Sequence, residues 1–537
     1  MAERHVPVLV VGGSLVGLTT SVLLAKHGVP HCVVETHAGT AIHPRAASFH
    51  QRTMEVFRSV GLQAEIERAA AAEFRQGGAI VAVESLGGKE LASFYRSYND
   101  GVEGLSPTDR LFITQVGLEP ILRRRATELG AEHLFNTDLV SFEQRDDGIV
   151  SVIQPRDGRP AEVITSDYLV AADGAHSAVR KELGIAMSGR GGFADCVTIY
   201  FKADVNPLMG DRNLSVIYVN HPELTGFFRF SITGDSGFLA VFATVGPDGA
   251  RNTHVGEDIS TERCAALVRT ALGGDPGLPV EIQSVQRWTA MAATADAFQA
   301  GRVFLTGDSA HVMPPTGGFG GNTGVADAHN LAWKLAFAVR GVAGSGLLDT
   351  YGTERRPTAA LTVEQAYTRY VLRVDSSLPK DDLMPPLDDP AIELGSIYRS
   401  TAVSADAPAP DQVDNPHERT WTVGARVPHV AFPGIHPSST LDIADGGFGL
   451  LVSGGHDGWA RAAAQAQQSC GVPVAVRTID PNEFRPSSVA APVASGWTGA
   501  ALIRPDGVIA WRPDGQADAE AGRLVDVLSG LLAVARG

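Results

Sequence analysis

The sequence has few of the features that mark metal-binding, secreted or membrane proteins. Its 537 residues include only four cysteines, at positions 32, 196, 264 and 470, which lie too far apart for a CxxC metal site or redox pair. No run of about 18 apolar residues is present, and the apolar run at 6–11 is too short for a secretion signal. We therefore expect a cytoplasmic protein with no disulfide framework and no membrane contact.

Basic residues are also in the minority. Lys and Arg number 44 against 60 Asp and Glu, a net charge of −16, whereas a nucleic-acid surface needs a basic excess. The histidines show no HExxH pattern, so no metal site is predicted. The hydrophobic fraction of 44% is ordinary for a globular protein. A compact soluble protein that does not bind nucleic acid is expected.

The first motif is a glycine turn between a strand at 6–11 and a helix at 18–28. In a dinucleotide site the first glycine makes the tight turn and the third lets the helix pack on the strand, roles that fall here to Gly12 and Gly17. Ser14 stands at the middle position and is still small enough for a pyrophosphate to approach the helix N-terminus. Glu35, at the end of the next strand, can accept hydrogen bonds from ribose hydroxyls. The predicted dinucleotide contacts are Gly12, Ser14, Leu15, Val16, Gly17, Glu35 and Thr36.

The second motif spans residues 307–322 and is more specific. A strand at 302–305 leads to Gly307 and Asp308, and a loop rich in proline and glycine then enters a helix at about 322–340. This segment resembles the flavin-binding segment of the class A FAD-dependent monooxygenases, the para-hydroxybenzoate hydroxylase-like family. A third motif, Asp173-Gly174 through Arg180, lies between the first two, as it does in that family. Among its members, the bacterial aromatic polyketide hydroxylases of the aklavinone hydroxylase type are the most similar in layout.

The resemblance implies where FAD contacts the chain. It places the ribityl-binding acid at Asp308 and the flavin ring along the loop 314–322. It puts Asp173 beside the pyrophosphate and the nicotinamide approach, and Arg45 and Gln115 near the flavin side chain and pyrophosphate. The flavin-contacting residues implied in the second motif are Gly307, Asp308, Pro315, Gly318, Gly320, Gly321 and Asn322.

The predicted fold is α/β, with a Rossmann-like FAD-binding domain, an inserted antiparallel-sheet substrate domain and a C-terminal thioredoxin-like domain. We assign 1–188 and 292–374 to the FAD-binding domain and 189–291, which reads as strands without long helices, to the substrate domain. Residues 375–417, rich in Asp, Pro, Ser and Ala, are assigned to an irregular linker. Residues 418–537 are assigned to the last domain, where the lack of a CxxC argues against redox exchange.

The substrate site is less well specified by the sequence. Aromatic and apolar residues of the inserted sheet could cover a flat, multi-ring compound, although alternating aromatics on strands are more often core. The candidates are Tyr218, Phe228, Phe230, Trp288 and Met291. In related polyketide hydroxylases a cation from the helix after the flavin domain reaches the substrate, which makes Arg373 and Arg369, four residues apart on one helix face, the catalytic candidates.

The resemblance implies a monooxygenase. In that family NADPH or NADH reduces the flavin, O₂ then adds to form a C4a-hydroperoxide, and the substrate is oxygenated. The expected function is therefore to hydroxylate or oxidatively rearrange a polycyclic aromatic polyketide in antibiotic biosynthesis, as a monomer or homodimer. Two alternatives stay open: an FAD-dependent halogenase, although the WxWxIP segment usual there is missing, and a non-catalytic flavoprotein that sequesters an aromatic compound.

Overall fold

The computed structural model describes most of the chain in ten stretches. These are residues 3–42, 47–246, 248–256, 259–404, 412–418, 421–432, 438–453, 457–479, 499–513 and 522–533. Predicted flavin contact Arg45 lies outside the described residues.

The first layer is a sheet whose centre is parallel. Its middle strand is the buried apolar run at the start of the chain, and its central order is β17-β18-β10-β1-β2-β7, with β9 and β8 added antiparallel beside β10. Strands β18, β10, β1, β2 and β7 run parallel to one another. The strands are β1 (Glu3–Val11), β2 (His31–Glu35), β7 (Glu132–Phe135), β8 (Thr137–Arg145), β9 (Gly148–Pro155), β10 (Glu162–Ala171), β17 (Gln299–Ala300) and β18 (Val303–Leu305). This is the predicted Rossmann-like layer.

The second layer is a mainly antiparallel sheet with the order β19-β16-β11-β14-β13-β12-β4-β5, and β15 pairs with β14. Its strands are β4 (Ala79–Val83), β5 (Glu90–Tyr95), β11 (Met187–Lys202), β12 (Leu214–His221), β13 (Leu224–Phe230), β14 (Ser236–Val245), β15 (Arg251–Asn252), β16 (Glu281–Ala295) and β19 (His311–Val312). A small separate pair joins β3 (Ser48–Phe49) to β6 (Leu111–Phe112).

The second sheet differs from the sequence-based assignment in two ways. It takes in β4, β5 and β19, which the sequence assigns to the FAD-binding domain, and β4 pairs parallel to β12. Residues 79–83 are a continuous apolar run, so their pattern fits either sheet and only packing decides between them. The inserted segment also contains a 12-residue helix at 261–272, which covers one sheet face with Cys264, Leu267 and Val268.

The helices fill both faces of the sheets. They are α1 (Leu15–Lys26), α2 (Gln51–Ser59), α3 (Gln63–Glu73), α4 (Gln115–Glu128), α5 (Ala178–Glu182), α6 (Asn206–Met209), α7 (Thr261–Leu272), α8 (Phe319–Val339), α9 (Gly346–Arg373), α10 (Asp389–Leu394), α11 (Asp457–Cys470) and α12 (Leu524–Leu531). Within the described residues, no helix is both long enough and apolar enough to span a membrane.

The third layer is the C-terminal sheet, with the order β21-β20-β22-β23. Its strands are β20 (Phe448–Ser453), β21 (Val474–Ile479), β22 (Ala500–Ile503) and β23 (Ile509–Trp511). The β20-α11-β21 crossover is parallel and the β22-β23 hairpin is antiparallel, the arrangement of a thioredoxin-like domain. The predicted fold class is therefore confirmed.

The segment assigned to a linker is irregular but packed. It contains α10, and its residues Ser396 and Ile397 make isolated bridges to Val413 and Ala425. Gln365 of α9 donates to the carbonyl of Pro385 at 2.9 Å, which holds the segment against the helix. The described part of this segment is therefore held against α9 and against Ala425.

Candidate active site

The predicted cofactor residues meet at one edge of the first sheet. Because β10, β1 and β2 are parallel neighbours and β18 lies beyond β10, the segments that follow them emerge side by side. Gly12, Glu35, Asp173 and Asp308 stand at these strand ends. Backbone hydrogen bonds join the ends: Gly12 N to Val34 O at 2.8 Å, Ala172 N to Val11 O at 2.7 Å and Thr306 N to Ala171 O at 2.9 Å.

Two glycines of the first turn are required by close backbone packing. Gly12 has φ +103°, and a Cβ there would lie 2.2 Å from the carbonyl oxygen of Ala172. A Cβ on Gly17 would lie 1.8 Å from the carbonyl oxygen of Gly12. Neither position accepts a side chain, so the turn and α1 pack as the dinucleotide motif predicts.

Ser14, which replaces the middle glycine, is tied to a buried acid. Its hydroxyl donates to Glu119 Oε1 at 2.6 Å, and the Leu15 N–H donates to the same oxygen at 2.9 Å. Glu119 Oε2 accepts from the Ala41 N–H at 2.7 Å. Desolvation raises the pKa of Glu119, which is fully buried. A serine at this position therefore links the turn to α4 and to the loop after β2.

Glu35 holds the same turn from the other side. Its Oε2 accepts from the Gly13 N–H at 2.6 Å, and its Oε1 accepts from the His37 N–H at 2.7 Å. The neighbouring Thr36 hydroxyl donates to Asp138 Oδ1 at 3.0 Å. Oε1 also lies 2.6 Å from His37 Nδ1, so it has two protein partners, whereas Oε2 has one and keeps a lone pair for a further donor.

Asp173 and Gln115 lie beside this turn. Asp173 Oδ2 accepts from the Val179 N–H at 3.1 Å, whereas Oδ1 is buried and no donor among the described residues reaches it. An unpaired buried carboxylate oxygen is costly, and a ligand hydroxyl would satisfy it. Gln115 is the half-buried first residue of α4.

Gly307 and Asp308 form a helical turn after β18, which we call the flavin turn (residues 307–309). Gly307 has φ +62°, and a Cβ there would lie 2.8 Å from Cγ2 of Val16, so Val16 acts as a packing contact for the turn. Asp308 is exposed on the turn. Its position at the strand edge leaves the carboxylate accessible to a bound ligand.

The loop after β19 leads into α8 through left-handed glycines. The Pro315 carbonyl accepts from the Gly318 N–H at 3.0 Å, and Gly318, with φ +69°, precedes the helix. Gly320 and Gly321 lie in its first turn. The side-chain amide of Asn322 bonds to other protein groups. Its Oδ1 accepts from His50 N and Thr53 Oγ1, and its Nδ2 donates to the carbonyls of Ser48 and Gly318. Its side chain therefore fixes the loop to the segment 48–53.

The two candidate arginines of α9 have different surroundings. Arg369 is buried and donates to Gln365 Oε1 at 2.9 Å and to Asp389 Oδ1 at 2.6 Å. Although burial favours the neutral acid, Arg369 holds the pKa of Asp389 below its ordinary value. Arg373 is half-buried, with its guanidinium carbon 5.1 Å from the centre of the Phe94 ring. Arg373 is therefore the better placed of the two to reach a small molecule.

An aromatic wall lies on the face of the second sheet that packs against α9. We define it as Phe227, Phe242, Trp288 and Tyr370, with Tyr218 at its edge. Burial raises the pKa of Tyr218, and a hydrogen bond with Arg373 opposes that rise. Two of the predicted substrate residues, Tyr218 and Trp288, are thus in this wall.

The other three predicted substrate residues point elsewhere. Phe228 and Phe230 pack with Phe201 in the core between the sheet and α7, on the opposite face from Phe227. Met291 lies between Ala290 and Ala292, which both pack against α9, so strand alternation turns its side chain to the other face. The structure does not bring these three residues to the wall.

Several site residues were not identified from the sequence. Phe94, from β5, reaches Tyr218 at 5.8 Å between ring centres, and Asp389, from the assumed linker, pairs with Arg369. Glu119 is the third. A strand pattern at 90–95 was the available signal for Phe94, whereas long-range pairing of Asp389 and Glu119 has no signature in a single sequence.

The wall and the loop that enters α8 are connected through α9. The hydroxyl of Thr316, in the loop before α8, donates to the carbonyl of Ala366 at 2.6 Å. One turn later, Tyr370 contacts Phe242 at 5.5 Å between ring centres. Within the described residues no group of three or more His, Cys, Asp or Glu side chains is arranged to hold a metal ion. The residues present fit a dinucleotide with a flat ring better than a metal.

Comparison with known proteins gives the same assignment. Residues 5–366 match the FAD binding domain family, and residues 420–535 match the family described as aromatic-ring hydroxylase, C-terminal. The chain is 44% identical over 539 residues to 4-methyl-5-nitrocatechol 5-monooxygenase of a Burkholderia species, covering 99% of this chain and 98% of that protein. It is 38% identical to tetracenomycin B2 monooxygenase-dioxygenase of Streptomyces olivaceus, covering 99% and 100%.

Solved structures agree with the fold. A ternary complex of aklavinone-11 hydroxylase with FAD and aklavinone superimposes with a TM-score of 0.89 at 37% identity, covering 99% of this chain and 100% of that one.

Proposed function

The chain belongs to the FAD-binding family of aromatic-ring hydroxylases, and from that premise we propose that it hydroxylates or oxidatively rearranges a polycyclic aromatic polyketide. NADPH or NADH and O₂ are the proposed co-substrates, and the proposed working unit is a monomer or homodimer in the cytoplasm. The observation that carries this proposal is the aromatic wall, joined by α9 to the loop that enters α8.

FAD is the cofactor, and the strand ends supply its proposed contacts. We assign the pyrophosphate to the turn at Gly12 and Ser14, the ribose to Glu35 and the ribityl chain to Asp308. The flavin ring is assigned to the loop from Pro315 to the first turn of α8. When bound, FAD supplies the redox and oxygen-transfer chemistry of the reaction.

The chain itself provides charge and shelter. The first N–H groups of α8 lack intrahelical partners, so they can stabilise negative charge on a ring held at that helix end. We assign Arg373 to the substrate, where a cation favours the phenolate over the phenol. Tyr218, which hydrogen-bonds Arg373, orients that guanidinium. The wall excludes water from the same space.

A substituted catechol is the second candidate substrate. The specific observation in its favour is the 44% identity to a nitrocatechol monooxygenase, against 38% to the tetracenomycin enzyme. Both substrates are phenols, so both would use the same cation and the same wall.

The test is a substrate screen with the purified flavoprotein. Consumption of NADPH and NADH is measured with anthracycline-type aglycones and with 4-methyl-5-nitrocatechol, and the products are identified by mass spectrometry. An aglycone gaining one oxygen supports the first proposal, and nitrite release from the nitrocatechol supports the second. A halide-dependent product would indicate a halogenase. No turnover, with flavin quenching by the aromatic compound, would indicate a sequestering protein.

A further inference from the structure

A buried acid of α8 holds the flavin turn. Asp327 Oδ2 accepts from the Gly307 N–H at 3.0 Å and from His311 Nε2 at 2.7 Å. Asp327 and the His311 side chain are fully buried. Gly307 directly precedes Asp308, and His311 begins β19. Asp327 therefore fixes both ends of the segment that carries Asp308.

Asp327 is held in turn by an arginine of α9. Arg355 Nε donates to Asp327 Oδ1 at 2.8 Å, and its Nη2 donates to the Thr323 carbonyl at 3.2 Å. Its remaining nitrogen, Nη1, donates to the hydroxyl of Tyr398 at 2.9 Å. Because a guanidinium is planar, these three contacts fix its orientation and so the position of Asp327.

Tyr398 connects this arginine to the C-terminal domain. The Tyr398 ring centre is 5.8 Å from the guanidinium carbon of Arg355 and 5.5 Å from that of Arg504. Arg504, at the end of the β22 strand, is fully buried and pairs with Glu354 and Asp506. Glu354 precedes Arg355 on α9, so the same turn of helix is anchored on both sides.

The charges of this buried cluster balance. Lys334 donates to Glu354 Oε2 at 2.8 Å, so Lys334 and Arg504 face Glu354 and Asp506. Burial of paired, hydrogen-bonded charges is tolerated, and it fixes geometry more than it adds stability. The apolar contact is continuous as well, because Phe448 of β20 lies 6.2 Å from Trp333 of α8 between ring centres.

We propose that the C-terminal domain serves to position the flavin turn, acting through Arg504, Tyr398, Arg355 and Asp327 as a chain of positioning residues. This assigns a role to a domain that has no CxxC pair. The inference rests on the proposed FAD site, since its effect is exerted on Asp308.

Tyr398→Phe is the mildest test, because it removes only the hydroxyl that accepts the hydrogen bond from Arg355. We expect the FAD dissociation constant of the apoprotein, measured by flavin fluorescence, to rise about fivefold, equivalent to about 1 kcal/mol. Tyr398→Leu also removes the ring that Arg504 contacts and should raise it further. Unchanged FAD affinity in both variants would overturn the proposal.

The matched control is Arg58→Met. Arg58 of α2 pairs with Asp442 of the C-terminal domain, so this variant loosens the same docking without touching the chain of positioning residues. We expect its FAD dissociation constant to stay within about twofold of the wild-type value. An effect as large as that of Tyr398→Phe would mean that domain docking in general, and not this chain, controls FAD affinity.

A double-mutant cycle separates this inference from the proposed site. If Tyr398 acts through the flavin turn, Tyr398→Phe should have little further effect in an Asp308→Asn background. If the two substitutions have additive effects on FAD affinity, Tyr398 does not act through Asp308 and the proposed chain of positioning residues is wrong. If Asp308→Asn alone leaves FAD affinity unchanged, the proposed FAD site itself fails. If Asp308→Asn weakens FAD binding but neither Tyr398 variant does, only the inference fails.

Discussion

Gly320 offers a direct test of where the flavin ring lies. A Cβ at this position would come no closer than 3.8 Å to another atom, Cγ of Met313, so the protein fold itself has room for alanine. The residue lies in the first turn of α8, where replacing glycine by alanine reduces the entropy lost on folding. In the absence of FAD, Gly320→Ala should therefore stabilise the protein by about 0.5 kcal/mol.

The effect on FAD should have the opposite sign. If the ring lies against the backbone of this turn, the added methyl group overpacks the contact at a cost of about 1–3 kcal/mol. The FAD dissociation constant should then rise roughly tenfold, since tenfold corresponds to about 1.4 kcal/mol. The assay is a fluorescence titration of apoprotein with FAD, together with thermal melts of the apoprotein. A variant that is no less stable and still binds FAD as tightly as the wild type would refute the placement of the ring.

Gly324→Ala, one turn further along α8, is the matched control. Its Cβ would lie 2.5 Å from Cγ2 of Val16 and 3.1 Å from Cα of Gly307, so here the protein packing requires glycine. We expect this variant to destabilise the apoprotein by about 1–3 kcal/mol. The two variants together separate a glycine needed by the fold from one needed by the ligand.

Three further predictions concern Asp308, Arg373 and His27. Asp308→Ala should reduce FAD retention on gel filtration, because the ribityl hydroxyls lose a charged acceptor; unchanged flavin content would count against that role. Arg373→Ala should lower turnover more than FAD affinity, and the activity of the variant should recover at high pH, where the phenol ionises without the cation. If the variant and the wild type have equal turnover at all pH values, Arg373 takes no part in the reaction. Burial lowers the pKa of His27 to about 3. Below about pH 6.5 the unfolded chain therefore takes up a proton that the folded chain does not, and the free energy of unfolding decreases as the pH falls. His27→Leu should remove about 2 kcal/mol of the stability that is lost between pH 6.5 and pH 4.5, measured by urea unfolding, and an unchanged pH slope would contradict this.

The sequence was sufficient where the determinants are local. The strand, glycine turn and helix around Gly12, and the acid after β18, are each set by residues a few positions apart, and their order along the chain indicates the parallel sheet. Even the departure at Ser14 could be recognised, although its reason, the bond to Glu119, could not. The fold class and the flavin cofactor were predictable for this reason.

The faces of the second sheet could not be assigned in the same way. Alternation along β13 shows that Phe227 and Phe228 point in opposite directions. One face is covered by α7 and the other by α9, so both are apolar and the pattern contains no polar face to distinguish them. The structure was needed to select Phe227 for the wall and to place Phe228 in the core.

The sequence by itself determined which segments carry cofactor chemistry, because phosphate turns and strand-end acids are written in consecutive residues. Only the tertiary structure decided which distant side chains serve them. It placed Phe94 beside Arg373, paired Arg369 with Asp389 and brought Arg504 into contact with Tyr398. Such pairings join residues far apart in the chain, and the free energy that selects them comes from burial and packing of the whole molecule, which no local pattern encodes.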